Sequence, residues 1–329
     1  MKKVILSGMR PTGRLHLGHW VGTLANWAKL QEEFACFYMV ADYHALMSEY
    51  KDPRKLRVWG LDNLADWLAW GIDPEKSVIF LQSDVPQHLE LFMILSCLTP
   101  LGLLYRCPTF KEQLQQLKDK DVNTYAFLGY PALQAADILL YRASAVPVGE
   151  DQLPHLEFTR ELARKLNAVA LKEILPEPQA MLTDFPRLAG LDGRKMSKSY
   201  DNAIYLSDDD DTIKKKVMTM FTDQARLRKT DPGNADVCNL FTNYSGFLDI
   251  SQAEKDKIKE QCSSASRGCT DCKKLLIDGL CALIGPRRSV RDEMLKDQGR
   301  LQKILEAGSQ KAREAAAQTM AEIKAALKL

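Results

Sequence analysis

Short apolar runs of strand length alternate with stretches of helical spacing through the first half of the chain. Residues 4–6, 35–40, 78–81 and 145–148 are apolar runs bounded by polar or turn residues, and they read as strands. Between them, residues 20–34 and 55–70 repeat apolar positions at the helical period, and Gly71 is placed to end the second stretch. Strands alternating with helices in this way predict an α/β fold, a parallel sheet covered by helices on both faces. Ligands bind such sheets beyond the carboxyl ends of the strands, which points to the loop after Leu6.

After about residue 206 the pattern becomes helical, with breaks expected at Pro232 and Gly233 and again at Gly285 and Pro286. The four carboxylates Asp208 to Asp211 precede a helical stretch at 212–221 and read as a solvated helix N-terminus, where negative charge suits the dipole. The last 30 residues, rich in Ala, Lys, Glu and Leu, read as one long helix. There is no internal repeat and no low-complexity linker. The expected division is a sheet domain over 1–200, a helical domain over 201–295, and a final helix over 296–329 that packs back on the first domain.

Composition changes this picture little. The chain has 329 residues, 46% hydrophobic and 27% charged, enough apolar material for a core. A net charge of +2 gives no global basic field toward nucleic acid. The apolar run at the N-terminus is short for a signal peptide, and no run approaches the roughly 20 residues that span a bilayer, so a cytoplasmic protein is expected. Thiols stay reduced there, and the eight cysteines are not expected to form disulfides. Cys36, Cys97, Cys107 and Cys281 lie in apolar segments and read as small buried hydrophobes. Cys238, Cys262, Cys269 and Cys272, spaced C-x23-C-x6-C-x2-C, read as metal ligands. Four thiolates suit tetrahedral zinc or a [4Fe–4S] cluster, and structural zinc usually shows two short pairs where this chain has one.

Two segments carry candidate phosphate chemistry. Residues 8–22 read G-M-R-P-T-G-R-L-H-L-G-H-W-V-G, between the first strand and the first helix. Gly8, Gly13 and Gly18 let backbone approach a ligand, and a helix N-terminus offers free N–H groups to phosphate. His16 and His19 are one helical turn apart and can face the same ligand. Residues 194–199 read R-K-M-S-K-S, two lysines around small hydroxyl residues, suited to a loop that closes over a triphosphate and stabilises departing pyrophosphate. H-L-G-H and K-M-S-K-S together, in this order, resemble the two signatures of the class I aminoacyl-tRNA synthetases.

Residues 130–141, Y-P-A-L-Q-A-A-D-I-L-L-Y, place Asp137 in an otherwise apolar helix. A buried carboxylate must be paired, either with a structural partner such as Arg142 or a backbone N–H, or with a substrate donor. An indole N–H and a phenol O–H both satisfy that chemistry. Together with V-P-V-G-E-D-Q-L-P-H-L-E at 146–157 and M-V-A-D-Y-H-A-L at 39–46, the segment resembles the bacterial tryptophanyl-tRNA synthetases over most of the first 220 residues.

That resemblance implies a Rossmann-type catalytic domain, a helical anticodon-binding domain, and a homodimer that uses tryptophan, ATP with Mg²⁺, and tRNA(Trp). Asp137 would hold the indole nitrogen, Tyr130 and Gln152 the ammonium or carboxylate, and His44 and Gln134 would line the pocket. Gly149 and Asp151 would contact the ATP ribose. Arg10, Thr12, Gly18, His16, His19, Lys195, Met196, Ser197 and Lys198 would form the rest of the ATP site, with His16, His19, Lys195 and Lys198 on the phosphates. Some members carry a [4Fe–4S] cluster at C-x22-C-x6-C-x2-C, one residue shorter in the first gap than here. The family more often has T-I-G-N at the first signature, Met at the position of Gln134 and an aromatic at that of Leu6. Two rivals stand: a tyrosine-specific synthetase of the same class, and a non-catalytic RNA-binding paralogue, which would have no use for a pyrophosphate loop.

Overall fold

The structure, a computed structural model, describes residues 2–107, 121–182, 188–248 and 250–329. Five parallel strands form one sheet: β1 (Val4–Met9), β2 (Ala35–Val40), β3 (Ser77–Leu81), β4 (Ala145–Val148) and β5 (Gln179–Leu182). Their order is β3-β2-β1-β4-β5. Four strands stand where the apolar runs predict them, and β1 continues through the polar Ser7 and Gly8 to Met9. The sequence pattern misses β5, an edge strand with exposed ends and no long apolar run.

Side chains alternate across the sheet with the period of two that a pleated strand imposes. Ile5, Tyr38 and Ile79 face one apolar layer, while Leu6, Met39 and Phe80 face the other. The first layer continues without a break through Ile204, Leu206, Ile213 and Val217 into Leu240, Ile258, Leu276 and Ile284 of the helical half. The order of the strands reverses between β1 and β4, so the crevice beyond their carboxyl ends is the natural ligand site.

A π-helical turn, Trp20–Leu24, leads into the helix Ala25–Glu33. The helix Arg54–Ala69 ends at Trp70, and Gly71 follows at φ +99, the left-handed conformation that stops a helix cheaply only in glycine. The helix Asp210–Thr219 begins two residues before the expected stretch, because Asp209 caps it by accepting from the Thr212 N–H at 2.7 Å.

Three sequence expectations are corrected. Asp208 is buried rather than solvated: it takes Lys216 Nζ at 2.6 Å, Arg14 Nη2 at 2.9 Å and the Tyr205 N–H at 2.8 Å. Pro286 does not end its helix, which runs unbroken over Cys269–Lys296. Apolar contacts of Leu276, Leu280 and Ile284 on one side and buried Arg291 on the other hold both halves, and Arg287 Nη1 donates back to the Leu283 carbonyl at 2.7 Å. Cys97 is exposed at the end of the helix Gln87–Cys97, whereas Cys36 and Cys107 are buried.

The helix Gln298–Leu327 lies along β3. A Cβ at Gly308 would sit inside the van der Waals radius of the Ile79 carbonyl oxygen, so only glycine permits this approach. Next to it, Ser309 Oγ accepts from the Leu81 N–H at 3.3 Å and donates to Asp84 at 3.1 Å. The edge of the sheet is thereby covered.

Candidate active site

The two signature motifs meet although some 180 residues separate them. The segment after the lysine loop lies beside the first motif: Leu17 N–H donates to the Ile204 carbonyl at 3.0 Å, and Leu206 N–H to that of Leu15 at 2.9 Å. His16 caps the first turn, its Nδ1 accepting from Gly18 N–H at 3.1 Å, and His19 Nδ1 accepts from His16 N–H at 3.1 Å. Both rings therefore spend Nδ1 as an acceptor and carry the proton on Nε2, free to donate. Gly18 leaves room for this, since a Cβ there would stand 2.9 Å from the His16 ring.

Burial, then Lys198 and Lys195, lowers the pKa of His16 to about 4. Burial, then the His16 and Lys198 charges, drives that of His19 well down. Near neutral pH the pair is uncharged and offers N–H donors.

Lys198 Nζ donates to the Thr12 and Gly13 carbonyls at 3.2 and 3.1 Å, drawing its loop onto the first motif. Burial, then Arg10, lowers its pKa to about 8. The loop is anchored from below. Met196 is buried, Ser197 N–H donates to Asn202 Oδ1 at 2.8 Å, and Asn202 Nδ2 donates to Asp192 at 2.7 Å and to the Lys195 carbonyl at 3.2 Å. Lys195 itself is exposed.

Beyond β1, β2 and β4 opens a cavity of about 390 Å³, within the range of small-molecule sites. Arg10, His44, Tyr130, Gln134, Asp137, Gly149 and Gln152 all line it, with Leu6, Gly8 and Met39. Thr12, His16, Gly18, His19, Lys195, Met196, Ser197 and Lys198 do not; they stand in the two motif segments, where Lys198 feels the charge of Arg10 on the cavity lining, and Asp151 stands outside the cavity after β4. Asp151 is exposed and accepts from Gln152 Nε2 at 3.1 Å.

Asp137 is paired, but not with Arg142, whose guanidinium meets Glu322 at 2.8 Å. His88 Nδ1 reaches Asp137 Oδ1 at 2.7 Å, His44 Nε2 reaches Oδ2 at 2.8 Å, and Gln82 Nε2 donates to both oxygens at 2.9 and 3.0 Å. Burial would raise its pKa, and the two imidazoles beside it bring it below the usual carboxylate value. His155 plays a similar part across the cavity, meeting Tyr130 Oη at 2.8 Å, Cys107 Sγ at 3.1 Å and Gln152 Oε1 at 2.9 Å.

Gln82, His88, Tyr141 and His155 are thus members of the site that sequence reasoning missed. A signal existed for the first two: Q-S-D-V-P-Q-H begins at the carboxyl end of β3, one of the strand ends where such folds bind ligands.

The four cysteines come together as well. Cys238, Cys262, Cys269 and Cys272 line one small cavity walled by Leu240, Phe241 and Ile258. Arg267 Nε donates to Cys272 Sγ at 3.0 Å, and Arg226 Nη1 to Cys269 Sγ at 3.9 Å. Burial raises the thiol pKa of Cys262 and Cys272. Among the described residues, no group of three or more His, Cys, Asp or Glu side chains is placed so that it could hold a metal ion. Cys281 is half-buried against the core, away from this cavity lining. Among the described residues, no helix is long and apolar enough to cross a membrane.

Comparison with known proteins agrees with this geometry. Residues 2–284 match the family model of class I tRNA synthetases for tryptophan and tyrosine. The chain is 48% identical over 326 residues to a tryptophan–tRNA ligase of Thermotoga maritima, covering 99% of each. It is 40% identical to one from Aquifex aeolicus, covering 99% of both. The tryptophanyl-tRNA synthetase of Campylobacter jejuni, solved with ADP and tryptophan, superposes with a TM-score of 0.90 at 34% identity, over 99% of this chain and 100% of the other. The chain therefore belongs to the tryptophan and tyrosine family of class I aminoacyl-tRNA synthetases.

Proposed function

We propose that the chain is a tryptophan–tRNA ligase, which joins tryptophan to AMP at the expense of ATP and then transfers it to tRNA(Trp). The observation that carries this reading is one cleft with two halves: an enclosed cavity holding a buried, ionised carboxylate, and beside it a cradle of neutral imidazole N–H donors and a lysine. The full-length likeness to tryptophan–tRNA ligases selects the amino acid.

In this reading Asp137 accepts the indole N–H, with His44 and Gln134 on the pocket wall. Tyr130 and Gln152 take the ammonium and carboxylate. Gly149 and Asp151 face the ribose, and Arg10, Thr12, Gly18, Met196 and Ser197 complete the nucleotide site. A tryptophan carboxylate oxygen attacks the α-phosphorus, and the bond to the bridging oxygen breaks, so that the electron pair leaves with pyrophosphate. His16 and His19 N–H groups and the Lys195 and Lys198 ammonium groups meet the charge as it moves, an electrostatic contribution that needs no covalent step on the protein. Mg²⁺ arrives with the nucleotide and offsets phosphate charge. A ribose hydroxyl of the tRNA then attacks the acyl carbon and releases AMP.

The remaining parts follow from the same reading. Residues 1–200 are the catalytic domain, 201–295 meet the anticodon, and the final helix belongs with the first domain. The enzyme is cytoplasmic. A homodimer is supported by Leu89, Met93, Leu101, Tyr105 and Tyr125, large exposed apolar side chains on neighbouring helices. Cys238, Cys262, Cys269 and Cys272 would hold a [4Fe–4S] cluster. The thiols share an apolar chamber, two guanidinium groups offset thiolate charge, and only one short C-x2-C pair is present, where structural zinc usually has two. A cluster bound there would tie the segments that carry these four cysteines together.

Amino-acid-dependent ATP–pyrophosphate exchange tests the central claim. Tryptophan should exceed phenylalanine by at least about 10³-fold, as expected when a buried acceptor loses its donor. A preference for tyrosine, or no exchange with any amino acid, would overturn it.

A further inference from the structure

Asp137 has two sides. One faces the cavity, where His44 stands beside it on the wall; the other faces Gln82 and His88, neither of which lines the cavity. His88 is fully buried, its ring stacked on Phe80 at 5.9 Å between centroids. An ionised carboxylate only accepts, so the 2.7 Å contact requires the His88 proton on Nδ1. In the neutral ring Nε2 then carries the lone pair, and Tyr141 Oη lies 2.8 Å away to donate into it. Burial and the Asp137 charge hold the Tyr141 pKa well up, so this phenol keeps its proton. Tyr141 is in turn stacked on Phe37 at 4.6 Å. Gln82 cannot turn over, because its Oε1 already accepts from Tyr43 N–H at 3.1 Å.

We infer that His88, backed by Tyr141, is a positioning and specificity-determining residue: it fixes Asp137 from behind as an acceptor that faces the cavity, so that the site demands a hydrogen-bond donor from its substrate. The inference rests on the tryptophan reading above. On the cavity side an incoming indole N–H meets His44 at Asp137 Oδ2, while Gln82 Nε2 reaches the same oxygen from behind at 3.0 Å. His88 and Gln82 keep the carboxylate ionised and aimed throughout, and no proton is transferred. Without His88 the carboxyl would lose a charge-assisted bond from behind and could take up a proton or rotate. Either change turns an acceptor away from the indole.

The test compares pyrophosphate exchange with tryptophan and with β-(3-benzothienyl)alanine, in which sulfur replaces the indole N–H. The parent enzyme should prefer tryptophan by at least about 10³-fold. His88→Leu should cut that preference about 10²-fold, the order for a hydrogen bond to a charged group, through a higher KM for tryptophan. Its rate with the benzothienyl analogue and its KM for ATP should stay within about 3-fold, since neither uses the Asp137 acceptor.

His88→Asn, whose Nδ2–H stands close to the position of the lost Nδ1–H, should retain the preference to within about 10-fold. Tyr141→Phe, the loss of one oxygen, should lower it about 10-fold. Equal losses with both substrates in His88→Leu would reduce His88 to a packing residue and overturn the inference. So would an unchanged preference in Tyr141→Phe, a variant that settles the matter even if His88→Leu does not fold. A parent enzyme inactive with tryptophan would be a different failure, that of the ligase reading itself.

Discussion

Lys198 is held where a cation is poorly accommodated. Burial and the neighbouring Arg10 bring its pKa from 10.5 to about 8, which at about 1.4 kcal/mol per unit corresponds to about 3 kcal/mol against the charged form. A triphosphate in the cleft reverses that balance, so the lysine interacts more strongly with developing pyrophosphate charge than it would in water. Lys198→Ala should therefore lower kcat for adenylate formation about 10²–10³-fold, the scale of one preorganised charge, with little change in tryptophan binding measured without ATP.

The pH profile gives a sharper reading, because kcat/KM for ATP reports ionisations of the free enzyme. It should fall above pH about 8 as Lys198 loses its proton. Arginine stays charged throughout this range, so Lys198→Arg should lack the descending limb. Unfolding at high pH is not the cause from this group. The folded pKa lies below 10.5, so between about 8 and 10.5 the unfolded chain binds more protons and the contribution of Lys198 to stability rises with pH. Pyrophosphate exchange from pH 6 to 10 for the three enzymes is the assay. A Lys198→Arg enzyme with the same descending limb would refute the reasoning, as would a Lys198→Ala enzyme with normal kcat and weakened tryptophan binding.

Anaerobically purified protein should be brown, absorb broadly near about 400 nm and carry about four irons per chain; serine at Cys238, Cys262, Cys269 or Cys272 should bleach it and serine at Cys281 should not, whereas colourless protein with one zinc replaces the cluster. Gly308→Ala, a change that favours helix elsewhere, should here cost about 1–3 kcal/mol in urea unfolding because the Ile79 carbonyl is backbone and cannot yield; a raised midpoint contradicts the packing described. Light scattering should give a dimer for the parent and a monomer with arginine at both Met93 and Tyr125, and a monomeric parent or an unchanged mass overturns the proposed interface.

The sheet was legible where apolar density alone decides structure. β2 and β4 match their runs to the residue, because buried parallel strands need unbroken apolar sequence. β5 was not legible, since a half-exposed edge strand carries no such run. Pro286 misled because its local penalty is overridden by tertiary contacts of the turns on either side, and Asp208 because a run of carboxylates does not reveal that Arg14, far back in the chain, folds over one of them.

The site divides similarly. The motif residues from His16 to Lys198, which the fold brings together, were legible in their spacing and chemistry. The residues behind the cavity wall were not. His88 and His155 touch Asp137, Tyr130 and Gln152, and only the meeting of the helices Gln87–Cys97, Tyr125–Leu140 and Leu153–Ala170 brings them into contact.

The contact between Ser309 and β3 also bears on how the chain is made. Leu81 N–H and its acceptor Ser309 Oγ are separated by 228 residues. At roughly 5–20 residues per second, a ribosome completes that interval in about 10–50 s. During that time β3 emerges with an unpaired backbone edge and the apolar face that Ala312, Ala316 and Met320 later cover. The nascent sheet is therefore a template for foreign strands until the last helix is released. A delay in its synthesis, or its removal by proteolysis, leaves that edge and that apolar face open without altering any residue of the cleft.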